Sequence, residues 1–163
     1  MAVGSLSAEG GRGAAIREFT TYQRARVGGI GTVPDVVVVA IDANCHAATE
    51  ARAIITRALR PEFADLCIPA CPDPHIERWY LADLQAFHEV VGHTPHVPEA
   101  KCERDLYKGI LAQAVVEAGH PATLGGIEFA RELAEAMDLV RAGRAVRSLG
   151  RFIGELRARL RLV

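Results

Sequence analysis

The stretch Val36-Val37-Val38-Val39-Ala40-Ile41, followed at once by Asp42-Ala43-Asn44, decides the fold. Its side chains are apolar on both faces and rich in β-branched residues, and Pro34 and a polar cluster bound it. That is the pattern of a fully buried central strand in a parallel sheet. In open α/β sheets ligands bind at the carboxyl ends of such strands, which makes Asp42 and Asn44 the first candidates for metal or phosphate chemistry.

Helical patterns surround the strand. Ile16, Phe19 and Tyr22-Gln23 predict a helix over 14–26, ended by Gly28-Gly29-Ile30-Gly31. After the strand, an Ala-rich segment with Ile54, Ile55 and Leu59 on one side predicts a helix over 46–59, stopped before Pro61. A second strand follows at Leu66-Cys67-Ile68-Pro69-Ala70, so that strand, helix and strand form a βαβ unit. Pro72-Asp73-Pro74 opens a further helix over 75–87, with Asp73 as its cap. Beyond the loop 93–98 the chain reads as helical, over 102–118, 127–140 and 145–162. Two strands do not make an independent sheet, so a third is expected from the glycine-rich start or from another chain.

A length of 163 residues suits one domain with its own core. The fold class expected is α/β: a small parallel sheet with helices on both faces and a helical C-terminal part over 101–163. Half the residues are hydrophobic, 24% are charged and the net charge is -1, values that argue neither for nor against nucleic acid. The distribution is uneven. From Arg141 onward seven arginines face the single acid Glu155, a basic tail that suits nucleic acid, an acidic partner or a solvated helix. The cysteines at 45, 67, 71 and 102 lack the spacing of a disulfide scaffold and predict free thiols. No apolar run reaches the ~18 residues of a membrane span, and the first residues lack a signal-peptide layout. A soluble cytoplasmic protein is expected.

Three acidic groups follow the strand ends: Asp42 with Asn44, Asp73, and Glu77. A βαβ unit brings them to one sheet edge, and Mg²⁺ or Mn²⁺ takes oxygen ligands with only one or two carboxylates. The plainer role for Asp42 and Asp73 is to cap the helices that follow them. Cys67 and Cys71 with His75 suggest zinc weakly, because Pro69 and Pro72 interrupt the spacing and no second pair lies at finger distance. His88, His93 and His96 surround a loop and read as surface residues. Gly28-Gly29-Ile30-Gly31 precedes a strand where a dinucleotide motif must follow one, and no P-loop is present.

Taken together, Val36 to Asn44, then Pro72-Asp73-Pro74-His75-Ile76-Glu77-Arg78-Trp79-Tyr80-Leu81-Ala82-Asp83, then Gly125-Gly126-Ile127-Glu128 resemble the Toprim-like proteins often encoded beside an AAA-type ATPase. These are similar to the Toprim half of overcoming-lysogenization-defect nucleases. The resemblance covers the chain from about Gly10, and only its middle motif is specific. It implies a single Toprim-like domain over 1–163 that holds Mg²⁺ or Mn²⁺ through an acidic pair after the central strand. In that pattern Asp42 matches the first member, and Asn44 stands where a second aspartate is usual.

The resemblance also implies a first-strand glutamate for acid-base chemistry, for which Glu9 is the nearest match. The chain is expected to begin after the usual first strand and helix. On this basis Glu77 and Glu9 are the catalytic candidates, Asp42, Asn44, Asp73 and Glu77 the metal candidates, and Lys101, Lys108, Arg147 and Arg151 the phosphate contacts. The function expected is a nuclease or nuclease-like activity on DNA or RNA phosphodiesters in a defence-type system with an ATPase partner. The alternative is a non-catalytic interaction module with a degenerate acidic site; a small-molecule α/β enzyme ranks last.

Overall fold

The computed structural model describes residues 3–8, 10–99, 101–103 and 105–161. Helix α1 (Gly11–Val27) precedes strand β1 (Val37–Ala40), helix α2 (Ala48–Ala58) and strand β2 (Cys67–Ala70). The two strands pair in parallel, Val37 opposite Cys67 and Ala40 opposite Ala70, which gives the expected βαβ order. The remaining helices are α3 (Ile76–Tyr80), α4 (Leu84–Val91), α5 (Leu106–Glu117), α6 (Ala130–Ala136), α7 (Leu139–Ala145) and α8 (Arg147–Leu160). The molecule is thus an α/β protein, mostly helical, with a two-stranded sheet. Among the described residues the glycine-rich start supplies no third strand.

β1 is not the fully buried central strand that its composition suggests. Val39, Ile41 and Ala43 point into a core formed with Phe19 of α1 and with Ala51 and Ile55 of α2. Val38, on the other face, is 46% exposed, and Ala40 is exposed as well. The cause is the placement of α8. Ala70 of β2 packs against Leu149 and Ile153, so the second face of the sheet is covered along β2 and open along β1. On the outer edge of β2 stands Pro69, which has no N–H to leave unpaired, and Arg52 Nη1 donates to its carbonyl at 3.1 Å.

The expected helix over 75–87 is two helices meeting at Asp83. His75 begins α3 without a side-chain cap, so Asp73 is not the cap expected of it, while the Asp83 carboxylate accepts from Ala86 N and caps α4. The helix expected over 127–140 breaks likewise where Asp138 caps α7, accepting from Val140 N and Arg141 N. An aspartate that accepts two or three donors at a helix start, buried at Asp83 and exposed at Asp138, outweighs helix continuity. Asp83 takes Arg141 through Nε at 2.7 Å and Nη2 at 2.8 Å, and also Asp138 N at 2.9 Å. One carboxylate therefore joins α4 to the start of α7. Nearby, α7 and α8 cross at Gly143 and Gly150, where a Cβ on Gly150 would come within 2.5 Å of the Gly143 carbonyl oxygen.

Candidate functional site

The parallel ladder continues past the strands. Ile41 N donates to Ala70 O, Ala43 N to Pro72 O, and Asn44 N to Pro74 O at 2.9 Å. These bonds lay Asp42-Ala43-Asn44 against Pro72–His75, aided by the left-handed backbone of Asn44 (φ 55°), a conformation asparagine tolerates. The helix that follows, α2, begins at Ala47 without a side-chain cap. Neither Asp42 nor Asp73 is therefore used as a helix cap.

Asp42 is half-buried and accepts an N–H from Ile76, the first residue of α3. Its carboxyl is raised above the ordinary range, chiefly by burial; the charge of Glu77 adds to the rise, and His75 and the Ile76 amide oppose it. Asn44 turns its Nδ2 toward Asp42 O at 3.5 Å and presents Oδ1 to His75 Nε2 at 3.1 Å. With that oxygen accepting from the imidazole, the carboxylates left near the end of β1 are Asp42 and, on α3, Glu77.

Asp73 faces a different neighbour. Lys101 Nζ lies 2.7 Å from its Oδ1, and Asp73 N donates to Ser148 Oγ at 3.3 Å. The same hydroxyl accepts Trp79 Nε1 at 2.9 Å, and the Trp79 ring stacks on Phe152 at 5.3 Å. The distinctive middle motif is thereby clasped to α8. Among the described residues no group of three or more His, Cys, Asp or Glu side chains gathers to hold a metal ion. A divalent cation fits here only as a two-carboxylate ligand completed by water, the mode Mg²⁺ commonly uses. The zinc possibility also finds no cluster, since Cys67 and Cys71 turn toward the α2 side of the sheet.

The four basic candidates separate. Lys101 and Arg147 line one cavity of about 340 Å³ with Arg78, Asp73 and Glu99. Arg151 lies in the cleft between α2 and α8 and pairs with Glu155 at 3.1 Å. Lys108 lies on α5 against Gly125. Glu9 lies outside the described residues. Glu128 of the glycine motif accepts from Leu124 N and Thr123 Oγ1, and Gly126, at φ 92°, packs so closely on α5 that a Cβ would meet Ala112 N at 2.6 Å. That motif serves packing.

Arg78 and Ser148 escaped the sequence as site residues, and His75 reads there only as a weak zinc ligand. Arg78 lies on a helix too short to show a face, and its guanidinium stands 5.7 Å from the Tyr107 ring centre. Ser148 carries no sequence signal for a contact with a residue 75 positions away. No family model, curated protein or solved structure matches the chain. No helix among the described residues is long and apolar enough to cross a membrane.

Proposed function

We propose that the chain is a Toprim-like domain that acts on nucleic-acid phosphodiesters, with Asp42 and Glu77 holding one divalent cation, Mg²⁺ or Mn²⁺. The observation that carries this reading is Asp42 itself: a half-buried carboxylate raised chiefly by burial, with Glu77 adding to the rise and His75 opposing it. Such a pair gains from a cation, which relieves both the repulsion and the poor solvation. When bound, the cation would neutralise phosphate charge and activate water. The protein's own groups divide the remaining work. The Ile76 amide orients Asp42, and Glu77, whose charge reaches Asp42, is the carboxylate for acid-base duty. Arg78, Lys101 and Arg147 supply cationic contacts for a phosphate backbone, which give affinity without sequence preference. An AAA-type ATPase would act as the separate partner of a defence-type nuclease.

A second reading is a non-catalytic interaction module, favoured by two specific pairings. Lys101 neutralises Asp73, and His75 takes the Asn44 oxygen. Isothermal titration of Mg²⁺ and Mn²⁺ into the chain and into Asp42→Ala separates the two readings. Saturable binding lost in the variant supports the cation site, and metal-dependent cleavage should vanish with it. Absence of binding in both chains leaves the interaction module.

A further inference from the structure

The four cysteines form two pairs that differ in exposure. Cys67 and Cys71 lie at the sheet, and burial pushes both thiols up to about 11, so they stay protonated and inert near neutral pH. Cys45 and Cys102 are exposed and belong to no helix or strand. They are 57 positions apart in sequence, yet Cys102 Sγ donates to Cys45 O at 3.9 Å. The neighbouring Cys102 thiol raises Cys45 above an ordinary thiol, with Lys101 opposing. Cys45 is thus less ionised than an ordinary thiol, and disulfide formation is best read at redox equilibrium.

We propose that Cys45 and Cys102 are a redox modification site that closes to an intramolecular disulfide, with glutathione disulfide as the oxidant. One cysteine thiolate attacks the glutathione disulfide and expels a glutathione thiolate, leaving a mixed disulfide. The second cysteine attacks the protein sulfur of that mixed disulfide and expels the second glutathione. Two electrons pass to the oxidant, and the two thiol protons end on the two released glutathiones. Closure brings the sulfurs to about 2.05 Å of one another, a movement that two loop positions can absorb.

The placement gives the bond a consequence. Cys45 follows Asp42 by three residues, and Cys102 follows Lys101, the partner of Asp73. The disulfide would tether the strand-end loop to the 101–103 segment and restrict the approach to Asp42. That effect on cation binding rests on the function proposed above; formation of the bond does not.

The test equilibrates the full chain in graded mixtures of reduced and oxidised glutathione, traps free thiols with N-ethylmaleimide and maps the peptides by mass spectrometry. The expected product is a Cys45–Cys102 cross-link lighter by two hydrogens, with Cys67 and Cys71 trapped only after unfolding. The oxidised chain should melt higher, by roughly 5 °C or more. Cys102→Ser should instead carry glutathione on Cys45, and Asp42→Ala should still form the cross-link. Glutathione held separately on Cys45 and Cys102 in the unaltered chain, disulfide-linked dimers, or a cross-link to Cys67 or Cys71 would each overturn the proposal.

Discussion

Two carboxylates at the two ends of one short region have opposite surroundings. Asp83 is buried and takes four hydrogen bonds, from Ala86 N, Asp138 N and two nitrogens of Arg141. Its carboxyl is held below the usual range, first by the Arg141 hydrogen bonds. Asp42 is half-buried, and its carboxyl is raised because burial outweighs the opposing His75 and Ile76 amide while Glu77 adds to the rise. Burial is common to both, and the partners decide the sign. A saturated carboxylate works as architecture, whereas a desolvated one beside a like charge marks a place where a ligand can be added.

Removing the saturated group should cost most. Asp83→Ala loses the α4 cap and the link to α7, a destabilisation of about 3 kcal/mol, read from urea unfolding. The sign of its pH dependence follows from the depressed pKa. The stability Asp83 contributes is complete above the ordinary aspartate value and drains away as pH falls through the depressed one. The variant should therefore show a shallower acid limb than the unaltered chain. A smaller loss is expected from Ser148→Ala, which leaves Trp79 Nε1 and Asp73 N without their shared acceptor. About 1–3 kcal/mol is the usual cost of such orphaned donors, and the Trp79 fluorescence should shift red as the motif loosens from α8.

The sequence made the βαβ unit legible because Pro34, Pro61 and the valine run punctuate it sharply. It could not show that β1 is covered on one face only. Valine reads the same on either face, and the position of α8 along β2 is a long-range fact. The helix over 75–87 looked continuous because Asp83 has local spacing for a cap but no visible reason to act as one; that reason, Arg141, lies 58 residues on. The candidate site was legible to a similar depth. The order of elements predicts that Asp42 and Glu77 share one sheet edge, and the Glu77 charge does act on Asp42. The diversion of Asp73 to Lys101 and of Asn44 to His75 depends on side-chain geometry that no spacing encodes.

The smallest expected effect tests the central claim most directly. With its pKa raised, Asp42 in the folded chain holds its proton more tightly than in the unfolded chain. Its contribution to stability is therefore full below the ordinary aspartate value and lost as pH rises through the folded one. At neutral pH its ionised form is a burden that Asp42→Asn removes. Thermal unfolding of both chains at neutral pH, without and then with Mg²⁺, should show the variant slightly more stable without the cation. With Mg²⁺ the order should reverse, because only the unaltered chain gains from binding. A variant that is less stable without Mg²⁺, or an equal response of both chains to it, would contradict the assignment of Asp42 as the strand-end cation ligand.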